Sequence, residues 1–318
     1  MTVVPFGHAH VLPAARLVAA GVARLRRSVP ALPDTWSDPA AVARVITGLV
    51  DRGAGLAVLD DGDLVAFQAA VLLDGHGGRW AYTPDFGHAS PGPVGPRLRE
   101  RLYADLAAGW IRDACPEHVV TVLADDRPAR ATYAELGFGH VVVDLVRDVS
   151  PLEVDPLPGG VSIRRAVAPD ASAVAELDAG LRRHLQASPV FLRLGAAPSP
   201  ELHRRQIEDP AAATFLAERD GRAIAFLRIG PCATDVAAVV RDPETASITA
   251  AFTRPELRGG GIASALAAAA VVWARDAGYA RCAVDHESAN REAARFWSRH
   301  FAPVAISVAR RLPPGTVP

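Results

Sequence analysis

The sequence predicts an α/β (α+β) protein of two similar domains in tandem, each a mixed, mostly antiparallel sheet flanked by helices on both faces. Three observations predict it. Strands and helices alternate around hairpin turns, a Pro/Gly-rich stretch divides the chain near its middle, and the same elements recur on either side of that stretch. The stretch, Pro151-Leu152-Glu153-Val154-Asp155-Pro156-Leu157-Pro158-Gly159-Gly160, carries neither a helical nor a strand period and reads as a linker. It sets domains at 1–150 and 161–312, with a linker at 151–160 and a tail at 313–318.

Taken in order, the first well-marked helix has Asp38 as N-cap, Pro39 at the first helical position, apolar Val42, Ile46 and Leu49, and Gly53 beyond its end. Asp61-Gly62 then joins Leu56–Leu59 to Leu64–Leu72 as a hairpin, and Asp220-Gly221 joins Thr214–Glu218 to Arg222–Ile229 at an offset of 159 positions. Trp110-Ile111-Arg112-Asp113-Ala114 ends a helix before the strand Val119–Leu123. It is answered, 163 positions on, by Trp273-Ala274-Arg275-Asp276-Ala277 before the strand Ala280–Val284. Two pairs in the same order at nearly constant offset indicate a duplicated domain of about 150 residues. In the second half Ile262, Leu266, Ala269, Trp273 and Ala277 form a helical stripe closed by Gly278. Each half reads as helix, helix, hairpin, strand, helix, strand, helix, strand.

Half of the 318 residues are hydrophobic, enough for a sizeable core. The formal net charge of -1 provides no field for nucleic acid or an anionic membrane. Cys115, Cys232 and Cys282 have neither disulfide-framework nor zinc spacing, and the histidines fall in no metal-ligand pattern, so no metal is expected. The longest apolar run, Ile262 to Ala274, is too short to span a bilayer. A cytoplasmic protein, monomeric or homodimeric, is the expectation. Every basic side chain is Arg, and Asn occurs once, at Asn290.

The chemistry-bearing segment follows the strand Ala246-Ser247-Ile248-Thr249-Ala250-Ala251-Phe252-Thr253. Arg258-Gly259-Gly260-Gly261-Ile262-Ala263 sits between that strand and the long helix. Three residues without side chains let backbone N–H groups converge, and the helix N-terminus adds partial positive charge, so a pyrophosphate fits. This segment resembles the Arg/Gln-x-x-Gly-x-Gly/Ala signature of the GNAT superfamily of acyl-CoA-dependent N-acetyltransferases. Asn290-Arg291-Glu292-Ala293-Ala294-Arg295-Phe296-Trp297 is similar to the family's second signature. The likeness covers the C-terminal half and, weakened, the N-terminal half, which suggests a tandem GNAT protein.

The resemblance implies acetyl-CoA as cofactor, its pantetheine arm pairing with the backbone of Ala251, Phe252 and Thr253. Its pyrophosphate would lie on Arg258, Gly259, Gly260, Gly261, Ile262, Ala263 and Ser264. It also assigns cofactor contacts to Asn290, Ala293 and Phe296; a helix N-cap is the alternative for Asn290, but as the one Asn in the chain, where Ser or Asp would cap as well, it is expected to contact the cofactor. The implied reaction is direct attack of a small-molecule or peptide amine on the thioester. A backbone N–H of Phe252 or Thr253 would polarise the carbonyl. For the implied general base the strand itself holds no acid; the nearest titratable groups are Glu244, Asp285, His286 and Glu287, of which Glu287 and Glu244 rank first. The proton-donating Tyr of many relatives is replaced by Trp297, which donates a hydrogen bond but surrenders no proton. That replacement keeps open a catalytically silent CoA-binding or CoA-sensing protein. The segment Leu181 to Pro210 is expected to cover the substrate, with Arg182, His184 and Phe191 as contacts. In the first half, Gly95-Pro96-Arg97-Leu98-Arg99-Glu100 lacks the amides for a nest, while Asp126, Ala129, Tyr133, Gly137 and Phe138 retain the last helix. One active site per chain is expected, with Tyr133 as a packing residue.

Overall fold

Asp61 and Gly62 take left-handed backbone angles, φ 48° and 92°, and so do Asp220 and Gly221, at 49° and 72°. These are the angles a two-residue hairpin needs, and they fix the two meanders on which the fold is built. The computed structural model describes all residues except 76, 77, 235, 314, 317 and 318, so the predicted tail lies partly outside it. The elements in chain order are β1 (Thr2–Pro5), α1 (Val11–Arg26), α2 (Pro39–Val50), β2 (Ala54–Asp60), β3 (Asp63–Gly75), β4 (Gly78–Thr83), β5 (His88–Ala89), α3 (Gly95–Arg112), β6 (Glu117–Leu123), α4 (Arg127–Glu135) and β7 (Gly139–Asp148). They continue with β8 (Val161–Arg165), α5 (Ala171–Gln186), α6 (Pro200–Glu208), β9 (Ala213–Arg219), β10 (Arg222–Pro231), β11 (Thr245–Thr253), α7 (Ile262–Asp276), β12 (Arg281–Glu287), α8 (Arg291–Trp297) and β13 (Ala302–Arg311). The helix, helix, hairpin order holds in both halves, but each opens with a short strand, β1 or β8. Four or five residues at a sheet edge carry too brief an alternation to stand out in sequence.

The chain divides into two units, and neither follows the sequence halves throughout. The first comprises Met1–Asp144, Ala237–Val240 and Pro303 onward, and the second comprises Leu145–Val236 and Arg241–Ala302. In the first unit the sheet order is β1-β2-β3-β4-β6-β13, with β5 on β3. Strand β13 comes from the end of the chain and pairs antiparallel with β6 from Arg311↔Glu117 to Ala305↔Leu123. The core of this unit gathers Tyr103, Trp110, Val120, Val122, Tyr133, Phe138, Ile306 and Val308.

The second unit has strand order β12-β11-β10-β9-β8, with Leu145–Asp148 of β7 beside β12. Along β10 successive side chains alternate between faces. Phe226 packs with Val174 and Leu177 of α5, Ile207 of α6, Leu216 and Ala250 on one face. The opposite face receives α7, whose buried side is Leu266, Ala267, Ala270, Val271 and Ala274. That side lies one step round the helix from the expected stripe, since Ala269 and Trp273 are only half-buried and Ala277 is exposed. Phe226 is wholly buried, which contributes about 2–3 kcal/mol of transfer free energy and holds β10 in place beneath the site.

Candidate functional site

The site begins with a strand that loses one neighbour. β11 pairs parallel with β12 only from Thr245↔Arg281 to Ile248↔Val284, whereas it stays antiparallel to β10 up to Thr253↔Ala225. Between these two regimes the register with β10 shifts, and Thr249 is left as the extra, exposed residue of a bulge. A bulge bends its strand and increases its twist, so from Ala250 onward one edge of β11 is open.

Backbone polarity decides which groups face that edge. The N–H of Arg254 donates to Ile224 O at 3.1 Å. Successive residues of a strand alternate sides, so Phe252 and Ala250 direct their N–H groups to β10, and Ala251 and Thr253 direct theirs outward. Of the two amides expected to polarise a carbonyl, Thr253 is therefore available and Phe252 is not. Ala251 takes its place. The Phe252 ring instead packs under α5 at Gly180, where a Cβ would stand 2.7 Å from Phe252 Cε1.

The open edge runs into the glycine loop. Gly259 and Gly261 have φ of +81° and +77°, and open space surrounds both, so backbone conformation rather than crowding calls for glycine there. Helix α7 starts at Ile262 with no side-chain cap, and its first internal bond is Ala265 N–H to Gly261 O. The amides of Ile262, Ala263 and Ser264 consequently point out of the helix end. Together with the positive end of a fifteen-residue helix they form an anion-binding nest.

Arg258 stands beside this nest but does not point freely into it. Its Nε donates to Thr253 O at 3.1 Å, its Nη1 pairs with Glu292, and the guanidinium lies 5.7 Å from the Phe252 ring centroid. Asn290 is the N-cap of α8: its Oδ1 accepts from Ala293 N–H at 3.2 Å and lies 3.4 Å from His184 Nε2. The capping role is thus present, and it places Asn290 and Ala293 across the gap from α5. Phe296 stacks edge-on with Trp297 at 4.6 Å and with His300 at 5.3 Å. Trp297 is 5 % exposed and packs against Phe301, which makes it a core residue of α8.

Of the expected acids, Glu287 ends β12 three residues beyond the last pair with β11, on the rim of the gap. Glu244 is a correction. It precedes β11, about 15 Å of strand from Thr249, and its carboxylate lies 3.5 Å from Arg281. Arg182 and Phe191 stand further out. Arg182 fastens the loop after α5 by donating to Gly195 O and Ala196 O, and Phe191 is 68 % exposed on that loop. Of the three expected substrate contacts, His184 alone reaches the gap. A cavity of about 310 Å³ opens there, lined by His184, Gly180, Arg183, Phe252 and Arg254 among others.

A polar cluster stands at the bulge, and of its members sequence reasoning placed only His203 and Gln206, within the segment Leu181 to Pro210, near the substrate. Arg228 of β10 donates from Nε to Thr249 Oγ1 at 3.0 Å and from Nη1 to Gln206 of α6. Asp178 of α5 and His203 of α6 are both buried, with His203 Nε2 3.8 Å from Asp178 Oδ2. Burial pushes the His203 imidazole below its usual range, although Asp178 pulls the other way. The available signal was the stripe Ala171, Val174, Asp178, which sets a carboxylate on the buried face of α5.

The first unit shows the same topology with the corresponding carbonyl taken by a side chain. β4 pairs parallel with β6 as far as Thr83↔Val120, and the next carbonyl, that of Thr121, accepts from His88 Nε2 at 2.9 Å. Gly95 and Pro96 are already the first turn of α3, and a Cβ on Gly95 would lie 2.0 Å from Ser90 O. Tyr133 is fully buried among Tyr103, Phe138 and His88. Among the described residues there is no group of side chains arranged to hold a metal ion and no helix long and apolar enough to cross a membrane.

A strand splayed from its parallel neighbour at a bulge and followed by converging amides at a helix N-terminus suits an extended ligand that ends in an anion. Residues 181–301 match the model of the acetyltransferase (GNAT) family. In fold the chain is similar to a GCN5-related N-acetyltransferase from Sphaerobacter thermophilus, at 19% identity and TM-score 0.61, with 99% of this chain and 98% of that one covered. It is also similar to a tandem GNAT protein from the clavulanic acid biosynthesis pathway, at 17% identity and TM-score 0.52 over 99% of each chain. No curated protein matches the sequence. The family match thus falls within the second half of the chain, and the chain as a whole shares its fold with a tandem GNAT protein.

Proposed function

We propose that the second unit is an acetyl-CoA-dependent N-acetyltransferase acting on a small-molecule or peptide amine, with one active site per chain. The observation that carries this reading is the continuity of the open β11 edge with the amides of Gly259 to Ser264. The outward N–H and C=O of Ala251 and the N–H of Thr253 offer the alternating donors and acceptor that an extended diamide arm would pair with, and the nest beyond them suits a pyrophosphate. Bound acetyl-CoA would supply the activated acyl group and a good leaving thiolate. Ala251 N–H, the first outward amide beyond the bulge, would then donate to the carbonyl oxygen, an interaction worth roughly 3 kcal/mol in a transition state.

Two features of the first unit support a single site. His88 Nε2 donates to the Thr121 carbonyl, where an N–H of an extended ligand would otherwise pair, and Pro96 removes an amide from the helix start. The competing reading, a CoA-binding protein without turnover, is favoured by the burial of Trp297 where a proton donor is expected. Calorimetry with acetyl-CoA on the wild type and Gly260→Pro, with thiol release followed over an amine panel, tests the proposal. Binding that the substitution abolishes, with amine-dependent thiol release, supports it. Equal affinity in the variant rejects the nest, and tight binding without thiol release for any amine establishes the silent alternative.

A further inference from the structure

Within this reading, the residue that accepts the proton of the acceptor amine has no counterpart on the strand. The bulge at Thr249 marks where β11 and β12 part, hence where an acyl group carried along the open edge would end. Four side chains converge behind it from three elements. Arg228 of β10 holds Thr249 Oγ1, and Gln206 of α6 holds Arg228. Asp178 of α5 feels the charge of Arg228, and His203 of α6 lies 3.8 Å from Asp178.

Asp178 is the anomaly among them. Its side chain is 10% exposed, yet its carboxylate accepts no hydrogen bond from any described residue. Neither of its oxygens is fully shut off from solvent, so the carboxylate is left available to an incoming cation. His203 does not relieve it, because that ring, 1% exposed, makes no full hydrogen bond at either nitrogen. The guanidinium of Arg228 is already committed to Thr249 and Gln206.

We infer that Asp178 is the catalytic base of the transfer, binding the acceptor ammonium at the bulge and taking its proton. His203 and Arg228 act as positioning residues. The ammonium gives one proton to the Asp178 carboxylate, and the freed nitrogen lone pair attacks the acyl carbon. The C–N bond forms, the C–S bond breaks, and the electron pair leaves on sulfur. The second nitrogen proton neutralises that thiolate, and Asp178 returns its proton to solvent.

Asp178→Asn is nearly isosteric and removes no hydrogen bond, so the fold should survive it. Thiol release from acetyl-CoA is measured with n-butylamine, which is protonated at pH 7, and with hydroxylamine, which is already neutral. The inference predicts a loss of about 100-fold or more in kcat/KM for n-butylamine, with hydroxylamine turnover and acetyl-CoA affinity retained. Equal losses for both amines, or none for either, overturn the role of Asp178. Absence of thiol release from the wild type with both amines overturns the acetyltransferase reading itself, so the two failures are distinguishable. His203→Phe keeps the ring volume and should narrow the difference between the two amines; a variant that retains it shows His203 to be structural.

Discussion

Removing the charge of Glu292 should tighten acetyl-CoA binding. Arg258, the one side-chain cation of the glycine signature, is held by Glu292 through Nη1 while its Nε is anchored on Thr253 O. An incoming pyrophosphate therefore competes with a carboxylate already on the guanidinium. The two partners are 28% and 59% exposed, which puts the pair in the screened class worth about 0.5–1 kcal/mol. Glu292→Gln frees that amount and removes one negative charge near the nest, so Kd should fall by about 2- to 5-fold at low salt. Because the effect is electrostatic between exposed groups, it should shrink toward unity at 1 M salt, where the Debye length is about 3 Å. The Nε anchor on Thr253 keeps Arg258 in place in the variant. Calorimetry at two ionic strengths is the assay. A weaker affinity, or a gain independent of salt, would refute the view that Glu292 occupies the anion's partner.

Gly180→Ala should destabilise the second unit by about 1–3 kcal/mol, because the new Cβ would meet the Phe252 ring at 2.7 Å and 2.9 Å; denaturant melts check this, and an unchanged midpoint would mean that the ring swings aside freely. Burial, reinforced by Arg99, lowers the His88 pKa from 6.5 to about 4, so its neutral form stabilises the fold above pH 6.5 and that contribution, about 3 kcal/mol, is lost as pH falls toward 4. His88→Gln should flatten this part of the stability–pH curve, and an unaltered slope would contradict it. Tyr133 Oη is buried without a partner, so Tyr133→Phe should leave turnover intact and stability equal or higher; a collapse in rate with the fold preserved would place Tyr133 in the chemistry.

What was legible in the sequence was whatever short-range chemistry imposes. Asp61-Gly62 and Asp220-Gly221 announce their turns because few residues tolerate those angles. Asp38-Pro39 announces a helix start, and its Oδ1 does accept from Ala40 N–H at 2.9 Å. The glycine loop is legible for the same reason. Contacts fixed by long-range packing were not. Nothing local to Ala302–Arg311 says that it pairs with Glu117–Leu123, and nothing local to Glu292 says that it meets Arg258 from 34 positions away. Glu244 was misjudged because sequence proximity to β11 does not reveal the end of the strand at which its chemistry lies.

The two units differ at one structural step. In each, a strand pairs in parallel with the strand beyond the long helix for only a few residues: β4 with β6 through Thr83↔Val120, and β11 with β12 through Ile248↔Val284. After that step the second unit continues as an unbroken strand bent by a single extra residue, Thr249, so its outward amides stay aligned with the nest at Ile262. The first unit instead spends Pro84 to Gly87 between β4 and β5, and when the chain resumes pairing on β3 it delivers the His88 ring to Thr121 O. A one-residue insertion bends a strand without interrupting its alternation, whereas a four-residue break hands the exposed carbonyl to a side chain. The length of that interruption, more than the loss of glycines from the following helix, separates an edge left open from one whose carbonyl a side chain has taken.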